Sequence, residues 1–276
     1  RPAAYSEDNV PYKAEKWLNI SLDGIKEGDF GMIMGFPGST ERYMTSYEID
    51  QMLEVDNPQR IFIRGERQAI LWEAMEASDE IRIKYASKYA GSSNYWKNSI
   101  GMSRGLKKLN IKAQKQAQEQ EYQKWANDNT LPEEGLSDAL PKIKEATEKL
   151  TALEGATQYL NEAFIRAVEI IQVARMDEER YDSFYKDYDV ALDRKVAKRM
   201  LTIARENMRK EDLPSIYTDV IDAKFGGNIE AYVDWLYDNS NLTTYEKFSA
   251  ILALDKEGRE EAFNNEPASE LANSII

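Results

Sequence analysis

The hydrophobic pattern of this chain changes its period once, close to the N-terminus. Residues 18–22 (LNISL) and 30–36 (FGMIMGF) are short apolar runs typical of strands, whereas almost everything from about Thr45 onward has helical spacing. One or two strands cannot pair their own edges or bury their own faces. We therefore expect the chain to begin with the last strands of a sheet whose other strands are missing, and to be a piece of a larger protein.

Several signals divide the helical part into segments. Ser78 is a plausible N-cap, and Gly91–Ser93 and Gly155 are expected to interrupt helices on either side of them. A Lys/Arg-rich helix is predicted over 187–209, with apolar residues on its inner face. The acidic tail from Glu257 is expected to fray. The fold class predicted is mainly α.

The overall charge and hydropathy narrow the choice of partner. The 276 residues carry a net charge of −13, which repels phosphate backbones, so we predict no nucleic-acid partner. The sequence contains no apolar run of about 18 residues, and so no membrane span is predicted.

The residue types that are missing narrow the chemistry further. The chain has no histidine and no cysteine, so it cannot form a Ser-His-Asp relay, a thiol nucleophile or a thiolate metal site from its own residues. Glu73 with Glu76 or Glu80 has the spacing of ordinary surface charge, and nothing there separates an acid from a base. We predict no catalytic residue, no metal ligand and no cofactor in this chain.

Two segments have a composition found in ligand sites but lack the required spacing. The glycines of 28–38 match neither phosphate-binding pattern, G-x-x-x-x-G-K-[ST] or G-x-G-x-x-G, and indicate a turn and a strand exit instead. The acidic run 176–189 lacks the alternating ligands and central glycine of a calcium loop. A solvated helix junction is the better interpretation of that run.

The segment 91–98 has two interpretations. Asn94 and Asn98 are four residues apart, so both lie on one face of a helix that begins here. An amide offers a carbonyl acceptor without a full charge, which suits an ammonium group in a partly desolvated pocket. Alternatively, Asn94 is only the helix cap and Trp96 is a core residue. The residue types alone leave both alternatives open.

Two long motifs resemble landmarks of a known family. The first is GMIMGFPGSTERY at 31–43, similar to the pattern M-x-M-G-[FY]-P-G-x-T-x-R-Y, and the second is KYAGSSNYWKN at 88–98, continued by IGMSRGL at 100–106. The opening residues 1–13 also fit. With these motifs the chain resembles the S46 serine peptidases, the bacterial dipeptidyl peptidases 7 and 11, closely over residues 1–125 and loosely beyond.

The resemblance implies a domain organisation. Members of this family have a chymotrypsin-like double β-barrel that holds a Ser-His-Asp triad, and an inserted helical domain that covers the active-site cleft. Residues 1–43 are then an incomplete remnant of the first barrel, and residues 44–276 are the helical cap domain, with a truncated C-terminus as one alternative. The family's His and Asp fall before Arg1 and its Ser falls after Ile276, so no triad residue is carried over.

The resemblance also implies a substrate and a place of action. Family members release dipeptides from the free N-terminus of oligopeptides, in the periplasm or at the cell surface of Gram-negative bacteria. An asparagine of the helical domain holds the substrate's α-amino group, and the matching position is Asn94, with Asn98 as the fallback. The implied partners are such an oligopeptide and the remaining barrel segments of the parent chain. The oligomeric state stays open, a homodimer included.

A different class of function competes with this interpretation. A helical binding or scaffold protein that is complete as it stands also explains the absence of histidine, but it does not explain unpaired strands. The length of the natural gene product separates the two, because the peptidase needs an upstream His and a downstream Ser.

Overall fold

The structure is a computed structural model and describes residues 6–32, 34–36, 38–131, 134–176 and 180–275. The chain separates into two compact units, Arg1–Arg42 and Tyr43–Ile276. The assignment of residues 1–43 to a barrel and of 44–276 to a cap domain stays a prediction.

The first unit contains the turn that the sequence predicts at 24–29. The amide of Lys26 donates to the Asp29 carboxylate at 2.8 Å, and the Asp29 amide donates to the Lys26 carbonyl at 3.1 Å. Gly28 has φ +94°, a conformation that glycine adopts at little cost. The local chemistry of this turn is therefore sufficient to form it.

The strands predicted around this turn are not formed in the described residues of the first unit. Residues 18–22 and the described part of 30–36 have no strand pairing, and Ile33 lies outside the described residues. A strand satisfies its amide and carbonyl groups only by pairing with a neighbour, and here the side chains of Leu22 and Phe36 are exposed. The β remnant of a barrel is thus not shown, and the prediction of strands is wrong for these residues in this structure.

The second unit is helical in its described residues. Its α-helices are α1 Ser46–Gln51, α2 Asn57–Ala77, α3 Asp79–Lys108, α4 Ile111–Asn129, α5 Ala139–Tyr159, α6 Glu169–Val173, α7 Tyr181–Lys186, α8 Val190–Asn207, α9 Ala223–Phe225, α10 Ile229–Asn239, α11 Tyr245–Leu252, α12 Lys256–Asn264 and α13 Pro267–Asn273. π-helical segments occupy Met52–Asp56, Leu160–Ile165 and Tyr217–Asp222. Across the described ranges, no helix is both long and apolar enough to cross a bilayer.

Side-chain caps fix where several helices begin. Thr45 and Glu48 form a capping box, in which the Thr45 amide donates to the Glu48 carboxylate at 2.7 Å and the Glu48 amide donates to the Thr45 hydroxyl. Ser78 accepts from the amide of Ile81 at 3.3 Å, as its position in the sequence predicts. These caps satisfy amides that have no partner inside the helix.

The core of the second unit lies between α2, α6, α8 and α10. Helix α2 packs against α3 on one side and α8 on the other, and α8 packs against α10. The predicted inner face of the 187–209 helix is confirmed, since Val196, Met200, Leu201 and Ile203 are buried there. The amphipathic pattern of α8 therefore decides its orientation.

Two other expectations for the helical part are wrong. Gly155 does not divide a helix, because α5 continues through it to Tyr159. A Cβ at Gly155 would lie 3.2 Å from the side-chain Nε2 of Gln59. A close approach of α2 and α5 therefore explains the glycine better than a break in the helix does. The tail from Glu257 forms α12 and α13, and Leu271 of α13 is fully buried.

Candidate functional site

The two candidate amine-binding residues lie on the surface of α3. Asn94 and Asn98 are one helical turn apart, and both are exposed. Neither side chain forms a hydrogen bond to a described residue. Both amides are therefore available to a ligand, and whether they bind one stays a prediction.

The helix that carries them does not begin at this segment. Helix α3 runs without interruption from Asp79 to Lys108, so the break expected at Gly91–Ser93 and the cap expected at Asn94 are both wrong. Glycine in a helix interior costs only about 1 kcal/mol, and the packing of α3 along α2 outweighs this. Trp96 belongs to that packing, since its Nε1 donates to the Ile61 carbonyl at 2.9 Å.

A cleft of about 600 Å³ opens beside α3. Its walls come from α2, α3 and the chain between Glu162 and Phe184. The contribution of α3 consists of Ser87, Lys88, Gly91, Ser92 and Tyr95. Asn94 and Asn98 are not part of the lining, so the candidate amine site and the cleft are neighbouring but separate features.

One carboxylate of the cleft, Glu162, is buried and paired with arginines of α2. Arg64 Nη2 donates to its Oε1 at 3.0 Å, and Arg64 Nε lies 2.8 Å from its Oε2. Arg60 Nε lies 3.7 Å from the same carboxylate. Arg64 also donates to the Ser92 carbonyl at 3.1 Å, so this cluster joins α2, α3 and the π-helical segment Leu160–Ile165.

The second carboxylate, Glu169, is the first residue of α6 and is also buried. It accepts from Lys88 Nζ at 2.9 Å and from the Tyr85 hydroxyl at 3.1 Å, both on α3. Arg67 Nη2 of α2 lies 3.9 Å away. Burial lowers the pKa of Arg67, and the charge of Glu169 acts in the opposite direction. An arginine stays protonated even so, and Glu169 faces two cations.

A third buried carboxylate, Asp193 of α8, holds the start of α6. It accepts from the amides of Glu169 at 2.7 Å and Ile170 at 2.8 Å, and from the hydroxyls of Tyr237 at 2.7 Å and Tyr188 at 3.1 Å. Burial and the charge of Glu169 raise the pKa of Asp193 to about 7, while hydrogen bonds from Tyr237 and the two amides lower it. Asp193 therefore combines good hydrogen bonding with an unfavourable electrostatic environment.

The glutamates considered as a catalytic pair, in contrast, form ion pairs on the protein surface. Glu73 binds Lys195 Nζ at 2.6 Å and Glu80 binds Lys84 Nζ at 2.6 Å, and both carboxylates are exposed. These contacts lower the pKa of each glutamate. Among the described residues, no group of three or more acidic side chains is arranged to hold a metal ion.

Sequence reasoning did not find the buried carboxylates, although the sequence carries a signal for them. Glu162 and Glu169 flank residues 163–168 (AFIRAV), which are apolar except for Arg166. Asp193 shares the inner face of α8 with Val196 and Met200, at spacings of three and seven residues. An acidic residue on an apolar face indicates a buried, paired charge.

The sequence matches a family of known peptidases over its whole length. A sequence model of the family Peptidase S46 matches residues 1–276. The dipeptidyl-peptidase 7 of Porphyromonas gingivalis is 39% identical over 290 residues, which covers 100% of this chain and 41% of the relative. The Asp/Glu-specific dipeptidyl-peptidase of the same species is 33% identical over 276 residues, covering 92% of this chain and 38% of the relative. The chain thus spans about two fifths of the length of these curated relatives.

Solved structures match as well. Crystalline DPP11 of Porphyromonas endodontalis in complex with the dipeptide Arg-Glu matches with a TM-score of 0.76 at 30% identity, covering 99% of this chain and 42% of that one. The same DPP11 without that dipeptide matches with a TM-score of 0.72. The resemblance inferred from the two motifs is confirmed, and the chain belongs to the Peptidase S46 family.

Proposed function

We propose that this chain is the helical substrate-capping region of a serine exopeptidase that releases dipeptides from the free N-terminus of oligopeptides. Two relatives that it matches are named dipeptidyl-peptidases, and it spans about two fifths of their length. With no histidine of its own, the chain by itself is inactive, and the triad comes from other parts of the parent protein. Residues 1–43 form strands there when they pair with the rest of the N-terminal barrel.

The observation that carries this proposal is the free amide of Asn94 on a well-anchored helix. Asn94 is exposed, and no described residue occupies its carbonyl oxygen. The opposite side of α3 is fixed to α2 by hydrogen bonds such as that from Asn57 Nδ2 to the Ser103 hydroxyl at 3.0 Å. A binding group on a rigid element holds its ligand more accurately than one on a loop. Asn94 can therefore accept from an α-ammonium group at a fixed distance from the catalytic centre, with Asn98 one turn away as the alternative.

A helical cap with an amine acceptor also explains the length of the product. An acceptor that requires a free ammonium group favours peptides whose N-terminus lies at the cap, and the helices exclude longer extensions. Hydrolysis then occurs two residues from that end. We place the enzyme in the periplasm or at the cell surface of a Gram-negative bacterium, where oligopeptides are its substrates.

The test is Asn94→Ala in the complete peptidase, assayed with a dipeptidyl substrate that has a free amine. We expect kcat/KM to fall about tenfold or more, the loss of one polar contact to a charged group. Asn98→Ala is measured in parallel as the fallback. The wild-type enzyme should discriminate strongly against the N-acetylated substrate, and Asn94→Ala should lose part of that discrimination.

Lys97→Ala is the matched control, because Lys97 is an exposed residue of the same helix. It should leave kcat/KM within about twofold of wild type. Unchanged kcat/KM in both asparagine variants would refute the amine-binding role of this face of α3.

A further inference from the structure

The cleft beside α3 carries an excess of positive charge that amine binding does not use. In the described part of the chain its lining includes six cations and two carboxylates, Glu162 and Glu169, so these lining residues have a formal charge of +4 (six minus two). The chain as a whole has a net charge of −13. The cations are Arg64, Arg67, Lys88, Arg166, Arg175 and Arg180. A local charge opposite in sign to that of the whole protein focuses anions into the cleft.

The cations deep in the cleft already form ion pairs with its two carboxylates. Arg64 is paired with Glu162, and Lys88 and Arg67 share Glu169. Arg67 is only 9% exposed, and its Nε has no hydrogen-bond partner in the described part of the chain. A buried donor of a charged group that lacks an acceptor is costly, so this wall favours a ligand that brings an acceptor.

The outer cations have no such partners. Arg166, Arg175 and Arg180 are exposed, and none forms an ion pair with a described residue. They line the same cleft as Arg67. A ligand anion entering the cleft therefore meets guanidinium groups at its rim before it reaches the buried donor.

The remaining walls indicate what the anion is attached to. Ile165, Met176, Tyr95 and Phe184 line the same cleft. The Tyr95 ring lies 5.0 Å from the Arg64 guanidinium, so aromatic and cationic surfaces are contiguous. A small inorganic anion uses only the cations, whereas an organic carboxylate also uses the apolar walls.

We propose that this cleft binds a carboxylate group of a peptide. Guanidinium groups match a carboxylate in a two-point, planar arrangement, and the apolar side chains contact the peptide body. The choice of a peptide as the carrier rests on the proposed function, whereas the recognition of the carboxylate rests on the cleft alone. The carboxylate comes from an acidic side chain or from the C-terminus, and the test separates these two sources.

The test measures the binding of three blocked peptides to the 276-residue chain by isothermal titration calorimetry at low ionic strength. Acetyl-Ala-Glu-Ala-amide carries a side-chain carboxylate, acetyl-Ala-Gln-Ala carries a C-terminal carboxylate, and acetyl-Ala-Gln-Ala-amide carries neither. Acetylation removes the amine, so a failure of the Asn94 proposal does not affect the result. We expect at least one of the two peptides that carry a carboxylate to bind about tenfold more tightly than the neutral peptide, and this preference should weaken as salt is added.

The variants Arg175→Gln and Arg180→Gln should each reduce the carboxylate preference severalfold, because each removes a rim cation without breaking an ion pair to a described residue. Arg104→Gln is the matched control, since Arg104 is exposed on α3 and lies outside the cleft lining. Gly91→Phe adds a second test. A Cβ at Gly91 meets no atom within 4 Å, so the ring can enter the cleft and should abolish the preference.

The sequence has three acidic residues, Asp177, Glu178 and Glu179, between two lining residues. The titrations are repeated on a chain with Asp177→Asn, Glu178→Gln and Glu179→Gln, which tests whether these three negative charges change the preference for a carboxylate. The proposal is overturned if the three peptides bind equally in both chains, or if Arg104→Gln acts as strongly as Arg175→Gln. It is also overturned if inorganic phosphate binds more tightly than either carboxylate peptide.

Discussion

Replacing the buried Asp193 by asparagine should change the pH dependence of folding. The carboxylate lies fully inside the helical unit, beneath α6, and accepts four hydrogen bonds. Asparagine has the same shape and carries no charge at any pH. The NH2 group of asparagine cannot accept the hydrogen bonds that the carboxylate accepts, which adds a difference in stability that does not vary with pH. The pH-dependent part of the difference between the two proteins therefore reports the ionisation of Asp193.

The size of the effect follows from the pKa. Burial and the charge of Glu169 raise the pKa of Asp193 from 3.8 to about 7. A carboxyl with a raised pKa binds its proton more tightly in the folded state, so its contribution to stability is complete below pH 4 and is lost as the pH rises to 7. Each pH unit in this window removes about 1.4 kcal/mol, and the full loss is up to about 4 kcal/mol.

The assay is urea denaturation of the wild-type chain and of Asp193→Asn, monitored by circular dichroism at several values between pH 4 and pH 8. The free energy of unfolding of the wild type, minus that of the variant, should fall through this range. Tyr188 and Tyr237 do not interfere, because burial raises the pKa of both hydroxyls and keeps them protonated. Parallel pH profiles of the two proteins would show that the hydrogen bonds outweigh burial, and the electrostatic reasoning would be refuted.

Two further stability predictions concern the cleft wall and α3. Glu162→Gln should cost about 3 kcal/mol or more, because it leaves the buried Arg64 without a countercharge, whereas Glu148→Gln on the surface should change stability by less than about 0.5 kcal/mol in the same urea titration. Gly91→Ala should raise the free energy of unfolding by about 0.5–1 kcal/mol, because its Cβ meets open space inside a helix. Gly155→Ala should gain less than this, since its Cβ would press on Gln59 at 3.2 Å, and an equal gain at both glycines would contradict the account of α5.

The helices were predictable where local signals agree with packing. Ser78 caps α3 and the apolar face of α8 is buried, because in both places the local preference and the tertiary contacts favour the same structure. The glycines at 91 and 155 misled the prediction for a physical reason. A single glycine weakens a helix by about 1 kcal/mol, and the burial of a packed helix face exceeds that amount.

The strands predicted for the first unit show the opposite case, in which a local pattern lacks the tertiary contacts that it needs. A period-two pattern predicts a strand only if a neighbour supplies hydrogen bonds, and the described residues of 18–22 and 30–36 have none. The turn between them forms all the same, because Gly28 and Asp29 supply its conformation and its hydrogen bonds locally.

The buried carboxylates could not be assigned from sequence because their partners are distant along the chain. Glu162 meets Arg64 across 98 residues, and Glu169 meets Lys88 across 81. An acidic residue in an apolar run indicates that a partner exists, but its identity depends on how α2 and α3 pack.

These pairings also explain part of the positive charge that the described lining of the cleft carries in an acidic protein. Each buried glutamate links α2 or α3 to the chain after α5, and each faces two cations: Arg60 and Arg64 at Glu162, and Arg67 and Lys88 at Glu169. One glutamate neutralises one cation, so each cluster keeps a positive charge after the fold is formed. A ligand carboxylate does not have to displace either glutamate in order to bind. The described lining gains only one surplus charge from these clusters, because Arg60 lies outside it, whereas Arg166, Arg175 and Arg180 add three. Removing either glutamate should weaken the fold and at the same time strengthen the attraction for anions, because it takes a negative charge out of the cleft.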